Sequence, residues 1–273
     1  MTARGATNQV KERRAASGPA PVIVERGPLS TPFIDATPVP LTDRQREQLA
    51  RFRDLLLGWN ERVNLTAITD PLAVEQLLFL DALRMGPAIA EAIEHRNSTS
   101  LQVIDIGTGA GFPGLPLAIA FPELAFTLLD ATNKKAAFIG EVVRDLGLAN
   151  VTPLHGRAEE LGQDGQYRER YDLATARAVS SLPALIELAM PLLRQGGRAF
   201  FPKSSEIEEE LNQGQRAANV LGGRIASAQL VPAGTDEKVT RLVIVDKIGA
   251  TPNRFPRRAG LPAREPLGRD SGI

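Results

Sequence analysis

Three glycines at alternate positions, Gly107, Gly109 and Gly111, break the run VIDIGTGAGFPG over residues 103–114, between an apolar stretch that ends in a carboxylate and a segment of helical pattern. Glycine at such a turn supplies backbone angles costly for other residues and lets a ligand come close to the main chain. A tight strand-to-helix turn without a ligand uses the same residues, so the spacing and the neighbouring residues must discriminate. A dinucleotide-binding turn spaces its glycines G-x-G-x-x-G and sets a pyrophosphate on a helix N-terminus. Here the spacing is G-x-G-x-G, and Pro113 and Pro116 remove N–H donors that a pyrophosphate would use. The turn suits a nucleoside without a pyrophosphate, such as S-adenosylmethionine. Asp130 closes the next apolar run, TLLD, where a carboxylate can accept hydrogen bonds from both ribose hydroxyls. Capping a helix that begins at Thr132 is the competing use of that side chain; the ribose role is the expectation.

Further candidates follow the later strands. GRAEEL, residues 156–161, can lie over an adenine ring, with Glu159 or Glu160 reading its edge or serving as a helix-start charge. ARAVSSL places Arg177 just past a fourth strand, and Lys203 follows AFFP; each is either a ligand contact or a structural ion-pair partner. The chain has no cysteine and two histidines, His95 and His155, far apart in sequence, which excludes disulfides, thiolate metal sites and a cysteine nucleophile. No metal is expected.

These residues need a scaffold that delivers them to one edge. Short apolar runs alternate with longer amphipathic stretches from Leu101 onward, the pattern of βαβ units and a largely parallel sheet. Strands are predicted at residues 101–106, 125–130, 151–155, 171–176, 198–202, 223–231 and 239–246, and helices at 113–121, 132–146, 182–193 and 204–221. The connection PAGTDEK between the last two strands is too short for a helical crossover, so that pair is expected to be antiparallel. Upstream, Thr42 or Asp43 can cap a helix with apolar positions Leu49, Phe52, Leu55, Leu56 and Trp59. A second helix follows Pro71 through Val74, Leu77, Leu78, Leu80 and Leu83 and is expected to end at Gly86-Pro87.

The domain reading is a disordered extension over residues 1–40, a helical cap over 41–98, a catalytic domain over 99–248 and a basic Pro/Arg-rich tail over 249–273. Formal net charge is zero, but both ends are basic: Arg4, Lys11, Arg13, Arg14 and Arg26 at the start, and Arg254, Arg257, Arg258, Arg264 and Arg269 at the finish. Pro252, Pro256 and Pro262 present the latter along a semi-rigid strip suited to RNA phosphates, with Arg254, Arg257 and Arg258 as the candidate contacts; pairing with acids on the catalytic domain, which would dock the tail, is the competing use of the three. No run approaches the roughly 18 apolar residues of a membrane span, and the first residues lack the apolar core of a signal peptide, so a cytoplasmic protein with no membrane partner is expected.

Taken together, WNERVNLTAITDP, DIGTGAGFPGLPLAIAFPEL, LLDATNKKAAFI, GRAEEL, ARAVSSL and PNRFPRRAGLPAREPL resemble one family, the guanine-N7 methyltransferases of small-subunit ribosomal RNA (the RsmG or glucose-inhibited division protein B family), from Leu41 to Leu267. The resemblance implies a Rossmann-like class I methyltransferase: an α/β fold with a seven-stranded, mostly parallel sheet, an antiparallel last hairpin and an N-terminal helical cap. It implies S-adenosylmethionine as donor, 16S rRNA or the small ribosomal subunit as partner, guanine 527 of that RNA as the family's acceptor, and a monomer. Matched position by position, cofactor contacts fall on Gly107, Phe112, Asp130, Ala131, Thr132, Ala158, Glu159 and Arg177. Two departures stand out. A His followed three residues later by Asp-Ser is usual in the second cap helix, where this chain has Leu78, Asp81 and Ala82, and an Arg-His pair near the last strand is here Thr240-Arg241. Both lie where RNA could be met, and Arg241 joins the candidate RNA contacts. Guanine N7 carries an exposed lone pair, so no general base is required, and a cation aimed at N7 would oppose the reaction. Arg177 is therefore expected to meet the cofactor, a phosphate or the O6 side of the base. A methyltransferase of another RNA, small-molecule or protein acceptor, or a non-catalytic homologue, would share the donor turn; the basic tail favours RNA.

Overall fold

The computed structural model describes residues 21–96, 100–232 and 239–268. The core is one seven-stranded sheet in the order β3-β2-β1-β4-β5-β7-β6. Its strands are β1 (Gln102–Ile106), β2 (Ala125–Asp130), β3 (Val151–His155), β4 (Tyr171–Thr175), β5 (Leu193–Lys203), β6 (Gly223–Pro232) and β7 (Val239–Lys247). The first five are parallel, whereas β7 lies antiparallel to both β5 and β6, as the short last connection requires. Most of that connection lies outside the described residues. The central strands read as continuous apolar runs because they are covered on both faces: every residue of β4 is buried, as are Val103 to Ile106 of β1.

The helices of the core are α6 (Gly114–Ala120), α7 (Asn133–Leu146), α8 (Ala158–Leu161), α9 (Leu182–Ala189) and α10 (Glu208–Leu221), preceded by α1 (Thr31–Ala36), α2 (Asp43–Val63), α3 (Pro71–Val74), α4 (Leu80–Leu83) and α5 (Gly86–Arg96) and followed by α11 (Leu261–Arg264). Three predicted boundaries move by four or five residues: β5 begins at Leu193 instead of 198, and the two helices beside it are shortened. α9 stops at Ala189 instead of 193 because Leu193 already pairs with Tyr171 in the sheet. α10 starts at Glu208 instead of 204: residues 204–207 form a bend after β5, and the three glutamates Glu208 to Glu210 then occupy the first turn, where a helix dipole favours them.

The cap begins as expected. Thr42 and Gln45 form a reciprocal capping box at the start of α2, and Asp70 accepts from Ala73 N–H ahead of α3. α3 widens into a π turn at Glu75–Phe79 before α4. Gly86-Pro87 does not end the helical region: it opens α5, with Pro87 in the first turn where its missing N–H costs nothing.

The expected structureless extension over residues 1–40 is corrected for residues 21–40; residues 1–20, with Arg4, Lys11, Arg13 and Arg14, lie outside the described residues. Leu29, Phe33 and Val39 are buried, and Phe33 meets Phe79 edge-on at 6.3 Å. The segment also serves buried charge. Arg53 and Glu75 form an ion pair of 2.6 Å, both side chains nearly inaccessible, and Arg53 Nη2 donates to Gly27 O at 2.6 Å while Ser30 N–H donates to Glu75 Oε2 at 2.9 Å. Paired charges out of water persist when their remaining polar atoms are satisfied, and this segment's backbone does that.

The tail is corrected too. Residues 249–268 are docked on the sheet-bearing domain, the competing use of the tail, instead of standing out as a semi-rigid strip. Arg168 Nη1 donates to Gly162 O (2.6 Å) and Phe255 O (2.8 Å), and Nη2 to Thr251 O (2.8 Å), so one guanidinium pins the tail to the 156–168 segment. Phe255 is buried, and the buried Lys247 ammonium donates to Met190 O at 2.7 Å and to Thr251 Oγ1. Burial lowers the Lys247 pKa to about 8. Arg269 lies outside the described residues.

Candidate active site

Because β1 to β5 are parallel, their carboxyl ends share one edge, and the strand order reverses between β1 and β4, where a crevice for ligands opens in such sheets. The glycine turn, Asp130, the 156–161 segment, Arg177 and Lys203 all lie at or just past these strand ends.

Each glycine of the turn has a positive φ: 68° at Gly107, 62° at Gly109 and 94° at Gly111. Their surroundings differ. A β-carbon on Gly107 would stand 2.6 Å from Val179 Cγ2, and one on Gly111 would stand 2.3 Å from Leu115 Cδ1, so those two are demanded by the protein's own packing. A β-carbon on Gly109 would meet nothing closer than 4.0 Å. Gly109 is therefore the point where a ligand can reach the main chain.

Asp105 holds the turn from beneath. It is fully buried; Oδ2 accepts from Gly114 N–H at 2.9 Å and Oδ1 from the Thr175 hydroxyl at 2.9 Å. Desolvation raises its pKa to about 6, with these hydrogen bonds pulling the other way. Phe112 turns its ring away from the crevice, stacking on Phe52 at 5.3 Å and Phe79 at 5.9 Å, and so locks the turn to the cap. Any cofactor contact of Phe112 falls to its backbone.

Asp130 is 6% exposed; Oδ2 accepts from Gly109 N–H at 2.9 Å and Oδ1 from Thr132 N–H at 2.7 Å. The N-cap of α7 is Thr132 itself, so Asp130 braces the two turns against each other instead of capping the helix. A carboxylate offers about four lone-pair sites, so roughly two remain for ribose hydroxyls. Ribose binding and the brace are compatible. Ala131, next in line, is exposed on the same edge, and its carbonyl oxygen lies 3.1 Å from His155 Nε2.

After β3, Ala158 is buried at the start of α8, and Glu159 Oε1 accepts from Gly260 N–H at 2.7 Å. The Glu159 carboxylate thus ties the tail down, leaving its backbone for any adenine contact; Glu160 is exposed. Arg177 Nη1 lies 2.9 Å from Asp81 Oδ2 of α4, an ion pair whose angle is not that of a hydrogen bond, since Nη1 is buried without a hydrogen-bond acceptor. Lys203 donates to Ser180 O at 3.1 Å and to Glu210 Oε1 at 2.9 Å, and the same carboxylate oxygen accepts Leu182 N–H at 2.7 Å. Lys203 is a structural pair at the wall of the site. Asp81, Arg177, Ala178, Pro202, Lys203, Ser204, Glu210 and Thr240 line a cavity of about 260 Å³ on this edge.

The candidate RNA contacts separate into two groups. Arg257 forks onto the fully buried Glu187, with Nε and Nη2 at 2.8 and 2.6 Å from its two oxygens, so it docks the tail. Arg241 is likewise engaged, donating to Ser205 O at 3.1 Å and pairing with Glu208 at 3.2 Å. Arg254, lying over the Phe255 ring at 5.1 Å, and Arg258 remain exposed. Glu187 does not stand out in the sequence, and Asp81 does so only as the retained aspartate of the family's cap-helix pattern: an acid on a helix gives no sign of an arginine elsewhere in the chain. Among the described residues, no cluster of His, Asp or Glu could hold a metal ion, and no helix is long and apolar enough to cross a membrane.

The residues present fit an adenosine-type donor: an open approach at Gly109, spare carboxylate lone pairs at Asp130, and the 156–161 backbone beside them. Over residues 45–239 the chain matches the family described as rRNA small subunit methyltransferase G. It is 44% identical over 229 residues to the ribosomal RNA small subunit methyltransferase G of Chloroflexus aggregans, covering 84% of this chain and 93% of that one. It is 41% identical over 227 residues to the protein of the same name from Alkaliphilus metalliredigens, 83% and 92% of the two chains, and 42% identical over 229 residues to that of Brevibacillus brevis, 84% and 94%.

Proposed function

The chain belongs to the rRNA small subunit methyltransferase G family, and from that membership we propose that it transfers a methyl group from S-adenosylmethionine to N7 of a guanine in 16S ribosomal RNA, acting in the cytoplasm as a monomer. The family's guanine 527 is the proposed acceptor. The observation that carries the reading is the pairing, on one sheet edge, of a glycine turn open at Gly109 with a carboxylate that has lone pairs to spare at Asp130.

When bound, S-adenosylmethionine supplies a methyl group on a sulfonium sulfur, electrophilic enough for a neutral ring nitrogen. The chain's own work is then positional. Asp130 accepts from the ribose hydroxyls while holding Gly109 and Thr132, so donor binding and turn geometry are set by one side chain. Ala131, Thr132, Ala158 and Glu159 present backbone to the nucleoside. Arg177, held by Asp81, stands between the donor turn and the neighbouring cavity, with Val179 of the same loop packed on Gly107. No group on this edge has to take a proton, because N7 has none to lose. The rate then depends on bringing N7 in line with the methyl group and sulfur, a burden that rigid packing of the turn against the cap through Phe112 can bear. Arg254 and Arg258 meet RNA phosphates outside the site.

The test is incubation of the full chain with labelled S-adenosylmethionine and small subunits from cells lacking this modification. Label is expected in the 16S RNA. Label in protein alone, or none, would overturn the reading.

A further inference from the structure

The cavity of about 260 Å³ beside the donor turn is smaller than the roughly 300–1,000 Å³ typical of drug-sized ligand sites, as suits a single nucleobase. Its polar groups fall into two sets. Lys203 and Glu210 are satisfied by each other, by Ser180 O and by Leu182 N–H. The other set has capacity left. Arg177 Nη1 and Thr240 Oγ1 are buried without hydrogen-bond partners. Asp81 meets Arg177 through Oδ2. The Asp81 and Arg177 side chains each keep about a fifth of their surface exposed on the cavity wall, so their remaining acceptors and donors can meet a ligand there. The set comprises a carboxylate, a cationic donor and a hydroxyl, and it excludes a plain apolar ligand.

Among the bases, guanine alone offers two adjacent donors, N1–H and the 2-amino group, next to an acceptor, O6. A carboxylate suits the two donors and a guanidinium suits O6. We propose that this cavity takes the acceptor guanine, with Asp81 accepting from N1–H and the 2-amino group and Arg177 donating to O6, a specificity role that rests on the reading of the chain as a guanine methyltransferase. Arg177 then approaches O6 from the N1 side, where Asp81 pairs with it and offsets its charge, so that no donor is aimed at N7. This orientation also puts a negative charge beside a base that becomes positive on methylation, which favours the charge that develops. Bases taken out of their stack are commonly read on this Watson–Crick edge.

The test compares small subunits reconstituted with 16S RNA carrying either guanine or inosine at the methylated position. Inosine keeps N7, O6 and N1–H and lacks the 2-amino group. The wild-type chain is expected to methylate guanine roughly ten- to hundredfold faster than inosine, the factor a lost hydrogen bond to a charged group gives. In Asp81→Ala the ratio should fall to within about threefold of unity, and in Asp81→Asn, which keeps the shape beside Arg177, it should fall as well, with donor affinity held near wild type in both. A wild-type chain with no preference, or variants that are slower but keep the full ratio, would overturn the assignment of Asp81 while leaving the methyltransferase reading intact. Failure of the wild-type chain to methylate the guanine substrate at all would instead overturn that reading and this proposal with it.

Discussion

Two aspartates at strand ends divide the work of holding the glycine turn. Asp105 is a structural acid whose ionised form is disfavoured by burial, with a pKa raised to about 6. A carboxyl whose folded pKa lies above its unfolded value binds its proton more tightly in the folded state, so its contribution is full below about pH 4 and is lost as pH rises through about 6. Over that window the wild-type chain should lose stability with rising pH, relative to Asp105→Asn, by up to roughly 1.4 kcal/mol per pH unit. Denaturant melts of both at several pH values check this, and parallel curves would refute it. Asp130 carries the opposite kind of duty, tying Gly109 to Thr132 and, in the proposed function, accepting from the ribose. Asp130→Ala should weaken donor binding at least about tenfold, since bonds to a charged group are worth roughly 1.5–3 kcal/mol each before water restores part of the loss. Calorimetric titration with S-adenosylmethionine measures it. A lower melting temperature with unchanged affinity would leave Asp130 as a brace alone.

Whole segments change status once the packing is visible. Residues 21–40 carry no periodic apolar face, which is why they read as structureless; they pack through three separated anchors and through backbone carbonyls and N–H groups that complete the Arg53–Glu75 pair. A chain beginning at residue 41 would do without the burial of Leu29, Phe33 and Val39, at roughly 1.5–3 kcal/mol each, and strip partners from a buried ion pair. That sum is comparable to the whole stability of a typical domain, so loss of the cooperative melt is expected; a native-like melt would contradict it. At the other end, Arg257→Gln leaves the buried Glu187 carboxylate without its cation and should lower the melting temperature without altering the salt slope of RNA binding. Replacing the exposed Arg254 and Arg258 together with Gln should flatten that slope instead, because each phosphate they no longer neutralise keeps its counterions. Binding to 16S RNA at several salt concentrations separates the two cases, and identical slopes throughout would remove the tail from the RNA interface.

At the scale of the molecule, the parts legible in the sequence are those set by local chemistry. Continuous apolar runs gave away the seven strands, the short last connection required the antiparallel pairing, and the glycine spacing marked a strand-to-helix turn of positive φ because that is a demand on each residue by itself. Partnerships across long separations were hidden. Arg257 and Glu187 stand 70 residues apart, and Arg177 finds Asp81 on a cap helix, so the sequence could name the cations but not what neutralises them. The fold converts these pairings into a rigid edge on which the cap, the glycine turn and the neighbouring cavity meet. The most direct test of that account locates the product on the RNA. Small subunits lacking the modification are incubated with the full chain and S-adenosylmethionine, and the 16S RNA is treated with borohydride and aniline, which cleave at N7-methylated guanine. A single new cleavage at one guanine, dependent on both protein and donor, is the expected result. Methylated RNA that resists this cleavage, with label instead at an exocyclic amine, a ribose hydroxyl or another base, would contradict it.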